Sequence, residues 1–248
     1  MTLFSQQEEF IKPQDRMAAG YMPLVGHLEE LRRRLIRIII ALAGGSVGCY
    51  LFIDQIMAWL TAPAGKLYYL SPAEAFFSYC KVACITGLLV TLPWVLYEVW
   101  AFLLPALTAT ERFALRLLVP SSALLFYLGL GFAYKWVLPA AMHFFGSFAG
   151  TDLQPMFSLG QYVSFVLSLV VPFGLVFEMP LFMLVLASLN IISSRRLATW
   201  RKFMVVLAFI AGGIISPTPD ILGQVLLAVP IILLYETSLA IIRWVLHK

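Results

Sequence analysis

Long apolar runs constrain this chain more than any other feature of its sequence. A helix needs about 20 predominantly apolar residues to cross the hydrocarbon core of a bilayer, and such runs recur along the chain. We find six of them, at roughly Leu35–Ile53, Phe76–Leu96, Leu115–Val137, Val163–Leu189, Phe203–Ile215 and Ile221–Val245. The sequence therefore predicts an all-α, polytopic membrane protein with six transmembrane helices.

The composition favours a single membrane domain. Of the 248 residues, 61% are hydrophobic and 12% are charged, whereas soluble domains have roughly 45–50% and 25%. We expect a polar cytoplasmic tail over residues 1–22 and one membrane domain over residues 23–248. The first twenty residues contain no apolar core of the kind that a cleavable signal peptide needs.

Positive charges between the runs predict the orientation of the chain. Lys and Arg are enriched in the cytoplasmic connections of membrane proteins. One side of the predicted spans carries fourteen of them, namely Lys12, Arg16, Arg32, Arg33, Arg34, Arg37, Arg112, Arg116, Arg195, Arg196, Arg201, Lys202, Arg243 and Lys248. The other side carries only Lys66 and Lys135, and Lys81 lies inside the second span. This distribution predicts that both termini are cytoplasmic.

The fifth run is short for a membrane span. Its 13 residues make a helix of about 20 Å, against a hydrocarbon thickness of about 30 Å. The prolines at positions 217 and 219 end a helix at that point. We therefore expect short fifth and sixth spans that stop before the far face or thin the bilayer. The other interpretation is that the charged flank from Arg201 onward snorkels, which would make the mismatch harmless.

Glu178 lies deep inside the fourth apolar run, where a charged residue costs roughly 2.5–3.5 kcal/mol. Such a side chain must face a protein interior, a water-filled cavity or a partner helix. This favours a membrane receptor or a transport subunit. A proton-coupled secondary transporter that protonates Glu178 is the alternative. That class usually ligates its substrate from several spans in paired repeats, and we find no such repeat in the sequence.

Enzymatic and metal chemistry have no motif in this sequence. We find no nucleotide-binding loop and no cluster of metal ligands. Ser121-Ser122 has no neighbouring His. Cys49, Cys80 and Cys84 lie in or beside apolar runs, which favours a packing role; the other interpretation is a metal or redox pair of Cys80 and Cys84 on one helix face. We therefore expect that the protein is not an enzyme and that it holds no metal and no other cofactor.

A charged segment precedes the first apolar run. It reads His27-Leu28-Glu29-Glu30-Leu31-Arg32-Arg33-Arg34. In a helix, Glu30 and Arg34 form an i,i+4 ion pair, as do Glu29 and Arg33. One interpretation is therefore an ordinary solvated helix start with arginines at the membrane face.

A second polar segment follows the second run, over residues 96–112. Trp100 and Phe102 suit a membrane interface, where aromatic side chains are enriched. Glu111 follows Thr108 and Thr110 and is typical of a helix N-terminus, where a carboxylate meets the positive end of the helix dipole. Helix capping is thus one interpretation of Glu111.

Five motifs together resemble the TatC family, the receptor subunit of the twin-arginine protein translocase. They are H-L-x-E-L-R-x-R before the first run, Y-x-V-W-x-F-x-x-P-A-L-x-x-x-E-R after the second, F-E-x-P in the fourth, S-P-T-P-D before the sixth and Q-x-L-L-A-x-P within it. They keep their order over residues 23–236. The resemblance implies a curved wall of helices in the bacterial cytoplasmic (inner) membrane, which exports folded proteins with energy from the proton-motive force.

The resemblance also implies a signal-peptide site at the cytoplasmic face. Glu30 and Glu111 are implied to meet the paired arginines of the signal peptide, with Arg32, Phe102 and Leu107 around them. The chemistry agrees, because a carboxylate accepts the planar guanidinium fork bidentately and a lysine ammonium cannot reproduce that geometry.

Three further groups of residues match family positions. Glu178 is implied to face the concave side of the helix wall. Gln224 and Ser216 are implied to dock single-span subunits of the TatA and TatB type, and further copies of the chain are implied within the receptor complex. Pro63, Phe76 and Phe77 are implied to form an extracytoplasmic cap, for which plain loop packing is the other interpretation.

Overall fold

The computed structural model describes residues 24–103, 111–147, 156–188, 191–215 and 221–246, and nearly all of them are helical. The helices are α1 (Leu24–Tyr50), α2 (Ile53–Thr61), α3 (Pro72–Leu103), α4 (Glu111–Phe132), α5 (Leu138–Gly146), α6 (Leu159–Phe177), α7 (Met179–Ser188), α8 (Ser194–Thr199), α9 (Arg201–Ile215) and α10 (Ile221–Leu246). This confirms the helical class. The tail predicted over residues 1–22 lies outside the described residues.

One short strand pair adds to the helices. β1 (Leu67–Tyr68) pairs in parallel with β2 (Phe157–Ser158), so that Leu67 lies opposite Phe157 and Tyr68 opposite Ser158. The pair joins the connection that precedes α3 to the connection that precedes α6. Two distant segments of the chain are thereby held together at the end of the bundle opposite to the start of α1.

The first predicted span differs from the structure at both of its ends. α1 begins at Leu24, well before the apolar run, because the charged segment that precedes the run continues the same helix. After Tyr50 the chain bends by 80° into α2. Ile53, the predicted end of the span, therefore begins a separate short helix.

The second span is longer than its apolar run. α3 continues to Leu103, so residues 97–103, which belong to the polar segment after the second run, form its last two turns. The reason is tertiary packing. Glu98 and Trp100 are only 1% and 4% exposed, so these turns face other helices and not water.

Two spans are broken where a proline removes a backbone donor. A π-helical turn over Ala133–Val137 joins α4 to α5, with Pro139 in the first turn of α5. Glu178 separates α6 from α7, with Pro180 directly after the break. Proline cannot donate the i→i−4 hydrogen bond and its ring crowds the preceding turn. At both junctions a proline thus accounts for the interruption of the α-helical hydrogen-bond pattern.

The structure supports four or five of the six predicted spans. Among the described residues, four helical segments are long and apolar enough to cross a membrane, and a fifth is added if α1 and α2 count as one bent span. α9 has only 15 residues, about 22 Å of helix. The fifth apolar run thus forms a short helix, as expected, and its crossing of the membrane stays a prediction.

The expectation of a short sixth span is wrong. α10 has 26 residues, and its apolar part Gly223–Trp244 has 22. The prolines at positions 217 and 219 precede Ile221 and so do not shorten this helix, and Pro230 lies within it. Neighbouring helices tolerate such a proline in a membrane span.

The helices pack in a simple order. α1 lies along α3, and α3 contacts both α4 and α6, which pack on each other. α7 and α9 pack on α10. The main core lies between α2, α3, α5, α6 and the π-helical turn, around the fully buried side chains Val82, Leu138, Val163 and Phe173.

Glycine allows the close approach of α1 and α3. A Cβ atom on Gly87 would overlap the backbone N and Cα of Ser46, and one on Gly45 would lie 2.9 Å from the carbonyl oxygen of Gly87. Gly44 faces open space, with nothing within 4 Å of an added Cβ. The close approach therefore involves Gly45 and Gly87 and not Gly44.

We predict that Gly87→Ala lowers the melting temperature of the full chain in detergent. The added methyl group meets backbone atoms that cannot rotate away, and overpacking of this kind costs about 1–3 kcal/mol. This exceeds the gain of about 1 kcal/mol in helix propensity from Gly to Ala. Gly44→Ala is the matched control and should melt at or above the wild-type temperature. A Gly87→Ala protein that melts as high as Gly44→Ala would contradict the packing described here.

Candidate functional site

A cluster of charged side chains joins the start of α1 to the end of α3. We call Glu30, Arg34, Arg37 and Glu98 the carboxylate–arginine cluster. Arg34 donates to Glu30 Oε1 from Nη2 at 2.5 Å and from Nε at 3.0 Å. Its Nη1 donates to Glu98 Oε2 at 2.8 Å. One guanidinium therefore bridges two carboxylates from different helices.

Glu98 is the buried member of this cluster. Its side chain is 1% exposed, and its second oxygen accepts from Arg37 Nη1 at 3.3 Å. Removing a carboxylate from water costs several kcal/mol unless cations and hydrogen bonds replace the solvent. Arg34 and Arg37 supply both, so each oxygen of Glu98 accepts a hydrogen bond from an arginine of the same protein.

Only one of the two carboxylate oxygens of Glu30 accepts hydrogen bonds from the described residues. The i,i+4 pair with Arg34 that the sequence predicts is present, but both of its hydrogen bonds go to Oε1. The other oxygen, Oε2, is buried and accepts no hydrogen bond from the described residues. The side chain is 24% exposed. Glu30 thus offers a free acceptor atom in a partly dehydrated position.

The pair one residue earlier is different in character. Arg33 Nη2 donates to Glu29 Oε1 at 2.6 Å, but the side chains are 69% and 59% exposed. Exposed pairs of this kind contribute about 0–1 kcal/mol. The sequence predicts both pairs from the same spacing, and only burial separates them.

The other residues expected around this site are placed in part. Phe102, near the end of α3, stacks on His27 with ring centroids 4.4 Å apart, and His27 lies one turn before Glu30. Arg32 is exposed. Glu111 is the first described residue of α4, so the predicted capping by Thr108 or Thr110 lies outside the described residues. The side chain of Glu111 and the whole of Leu107 lie outside the described part of the chain.

A second polar chain lies between the spans. Glu178 Oε2 accepts from Ser122 Oγ at 2.5 Å, and Ser122 Oγ in turn accepts from Trp100 Nε1 at 3.2 Å. Glu178 Oε1 is buried without a partner among the described residues. The carboxylate thus forms its hydrogen bond within the protein, while the residue as a whole is only partly buried.

The folded bundle determines two features of these hydrogen bonds, the position of Glu178 and the burial of Ser122. Glu178 sits at the junction of α6 and α7, where its N–H bonds to the carbonyl of Leu175 three residues back. A bond of this 3₁₀ type marks a local tightening of the helix. Ser122 is fully buried and was weighed from the sequence only as a nucleophile. No sequence pattern pairs it with Glu178, because the two residues meet only in the folded bundle.

Glu74 is a structural residue that sequence reasoning missed. Its carboxylate accepts from the backbone N–H groups of Leu70 and Gly160, each at 2.7 Å, and from the hydroxyl of Ser158. The N–H of Glu74 donates to Ser71 Oγ at 3.2 Å. The pattern Ser-Pro-Ala-Glu is the signature of a helix capping box, and it would have revealed the local half of this arrangement.

The residues expected in the cap lie near Glu74, at the same end of the bundle. Pro63 is exposed in the turn after α2. Phe76 and Phe77 are 58% and 67% exposed, and their rings meet edge to face. Next to them, Lys81 Nζ donates to Ser164 Oγ at 2.9 Å in a groove of about 440 Å³.

Gln224 ties α10 to α9. Its Nε2 donates to the carbonyl oxygen of Phe209 at 2.7 Å, and its backbone carbonyl lies where a Cβ on Gly212 would clash. Its side chain therefore contributes to the contact between the two helices. Ser216, which we grouped with it, lies outside the described residues.

The chain is similar to known translocase proteins over most of its length. The family model for the Sec-independent protein translocase protein (TatC) matches residues 26–230. The TatC protein of Carboxydothermus hydrogenoformans is 36% identical over 231 residues, which are 92% of this chain and 95% of that protein. The TatC protein of Aquifex aeolicus is 42% identical over 226 residues, 88% of this chain and 93% of that one.

The fold is similar as well. A crystal structure of the twin arginine translocase receptor TatC matches with a TM-score of 0.79 and 41% sequence identity, covering 88% of this chain and 98% of that one. These relatives are components of a protein translocase and not enzymes, and none of them is a secondary transporter. The transporter alternative therefore has no support. The chain belongs to the TatC family of Sec-independent protein translocase proteins.

Proposed function

We propose that this protein is the receptor and core subunit of a twin-arginine translocase, which binds twin-arginine signal peptides at its cytoplasmic face. The observation that carries the proposal is the buried Oε2 of Glu30, which accepts no hydrogen bond from the described residues, beside a helix end that carries Phe102. Family membership and the receptor named in the similar crystal structure support it.

The recognition chemistry follows from charge and burial. A signal-peptide arginine presents a planar fork of N–H donors, and Glu30 Oε2 is an acceptor for one arm of it. Exposed ion pairs contribute about 0–1 kcal/mol, whereas hydrogen bonds to charged groups in less hydrated sites reach about 1.5–3 kcal/mol. Glu111, which matches the family motif, is proposed to meet the second arginine, with Leu107 and Arg32 nearby.

The proposed orientation places the carboxylate–arginine cluster in the cytoplasm. The Lys and Arg distribution favours cytoplasmic N- and C-termini and six crossings of a bacterial inner membrane. α9 is then the sixth crossing in addition to the five that helix length supports. At about 22 Å it is shorter than the hydrocarbon core, so local thinning of the bilayer accompanies it.

The intramembrane residues are proposed to serve transport and not peptide recognition. Glu178 would face partner subunits of the TatA and TatB type, and Gln224 and Ser216 would line the surface of α9 and α10 where a single-span helix docks. Polar contacts between membrane helices average about 0.6 kcal/mol, which suits reversible assembly during export driven by the proton-motive force.

The first test of this proposal removes the two recognising carboxylates. Glu30→Gln combined with Glu111→Gln should abolish crosslinking of a twin-arginine signal peptide while the protein still inserts into the membrane. Each lost charge-assisted bond of about 1.5–3 kcal/mol weakens binding by roughly a factor of ten or more.

Glu29→Gln is the matched control for this test. It removes a carboxylate of the same helix, at the adjacent position, whose pair with Arg33 is exposed. Crosslinking should persist in that variant. Retention of crosslinking in the double variant would refute the assigned carboxylates.

The second test separates transport from recognition. Glu178→Ala should leave peptide crosslinking unchanged and reduce export of a folded passenger in membrane vesicles at least several-fold. Its side chain bonds to Ser122 and not to any member of the carboxylate–arginine cluster. Loss of peptide binding in this variant would show that the role we assign to Glu178 is wrong.

A serine pair extends the second test. Ser122→Ala removes the donor to Glu178 and leaves Trp100 Nε1 without its acceptor, so export should fall as it does for Glu178→Ala. Ser121→Ala changes an exposed hydroxyl that, among the described residues, bonds to its own helix at Leu117, and export should be normal. Equal export by the two serine variants would contradict the role of the Ser122 bond.

A further inference from the structure

We propose that Arg34 is a built-in occupant of the Glu30 carboxylate, and that the buried Glu98 sets how easily a signal-peptide arginine displaces it. This inference rests on the proposed function and adds its regulation. Arg34 presents to Glu30 the same guanidinium group that the signal peptide would present. The receptor therefore carries its own competitor for the recognition site.

The geometry of Arg34 supports competition. Its Nε and Nη2 both donate to the same oxygen, Glu30 Oε1, so one guanidinium edge already holds this carboxylate. The pair is 18% and 24% exposed, so water screens it less than the neighbouring exposed pair. An arriving arginine meets a carboxylate whose charge is already balanced, and it gains the full attraction only when Arg34 releases Glu30.

Glu98 makes that release possible. Arg34 holds Glu98 through a separate donor, Nη1, at 2.8 Å. When the bonds to Glu30 break, this third bond remains, and no buried charge is left without a partner. Glu98 is 1% exposed and is therefore shielded from the peptide. Glu98 is thus a positioning residue, which acts on recognition through Arg34.

Arg37 completes the arrangement from the same face of α1. It lies one turn after Arg34, and its Nη1 is 3.3 Å from the second oxygen of Glu98. Arg37 is 57% exposed, so it balances part of the charge of Glu98 without filling the site of Glu30. With Arg37 balancing part of its charge, Glu98 can keep its bond to Arg34 both while Arg34 holds Glu30 and after Arg34 has released Glu30.

The test measures the affinity of a fluorescent twin-arginine peptide for the full chain in nanodiscs. Arg34→Gln removes the competitor and should tighten binding roughly three- to tenfold, on the scale where 1.4 kcal/mol is a factor of ten. Glu98→Gln leaves Arg34 with Glu30 as its carboxylate partner and should weaken binding by a similar factor. Arg33→Gln is the matched control from the exposed pair and should bind as the wild type does.

The double variant Arg34→Gln with Glu98→Gln decides the outcome even if a single variant does not fold. It removes one positive and one negative charge together and so leaves no new buried imbalance. It should bind more tightly than the wild type and close to Arg34→Gln, because Glu98 acts only through Arg34. Weaker binding than the wild type, in either Arg34 variant, would make Arg34 part of the binding site and overturn the inference, as would binding unchanged from the wild type.

Failure of the inference is distinguishable from failure of the proposed function. Glu30→Gln, measured in the same assay, reports on the recognition site itself. If it binds the peptide as the wild type does, the proposed function fails. If it loses binding while the Arg34 variants fail to tighten it, recognition at Glu30 stands and only the competition by Arg34 is refuted.

Discussion

A buried carboxylate in the last turns of α3 is the constraint on which the polar architecture depends. Glu98 is only 1% exposed, and a carboxylate at that depth must be matched by cations. Arg34 and Arg37 match it, and both come from α1. Since they lie one turn apart on that helix, satisfying Glu98 fixes the start of α1 against the end of α3. The position of Glu30 follows from this fixation.

The same turns of α3 organise the second polar site. Residues two apart on a helix point about 200° away from each other, because each residue turns by about 100°. Glu98 therefore faces α1, while Trp100 faces α4 and bonds to Ser122. Ser122 in turn holds Glu178 at the break between α6 and α7. The recognition site proposed at Glu30 and the intramembrane carboxylate are thus built on opposite faces of one helix end.

Much of this arrangement could be predicted from local sequence patterns. The apolar runs predict the four or five spans that helix length supports. The i,i+4 spacing predicts the Glu30–Arg34 pair, and the 13 residues before the proline-rich segment indicate the short α9. These features depend on neighbours in sequence. They are fixed by helix geometry and by the thickness of a bilayer.

The rest depends on contacts between distant segments. The sequence places Glu98 in a polar segment, because a carboxylate near a membrane interface usually faces water. Its burial depends on two arginines that lie more than sixty positions earlier in the sequence. The bond from Ser122 to Glu178 joins residues 56 positions apart. The predicted length of the sixth span was wrong because the prolines at positions 217 and 219 precede Ile221, the first described residue of α10, and therefore do not shorten that helix.

The most direct test of the central claim compares arginine with lysine on the peptide. The affinity of the wild-type chain in nanodiscs is measured for one signal peptide with Arg-Arg and for its Lys-Lys version, at the same ionic strength. Both carry the same charge, but only guanidinium groups present the fork that a carboxylate accepts through two bonds. The account predicts at least tenfold tighter binding of the Arg-Arg peptide. Equal affinity for the two peptides would contradict it.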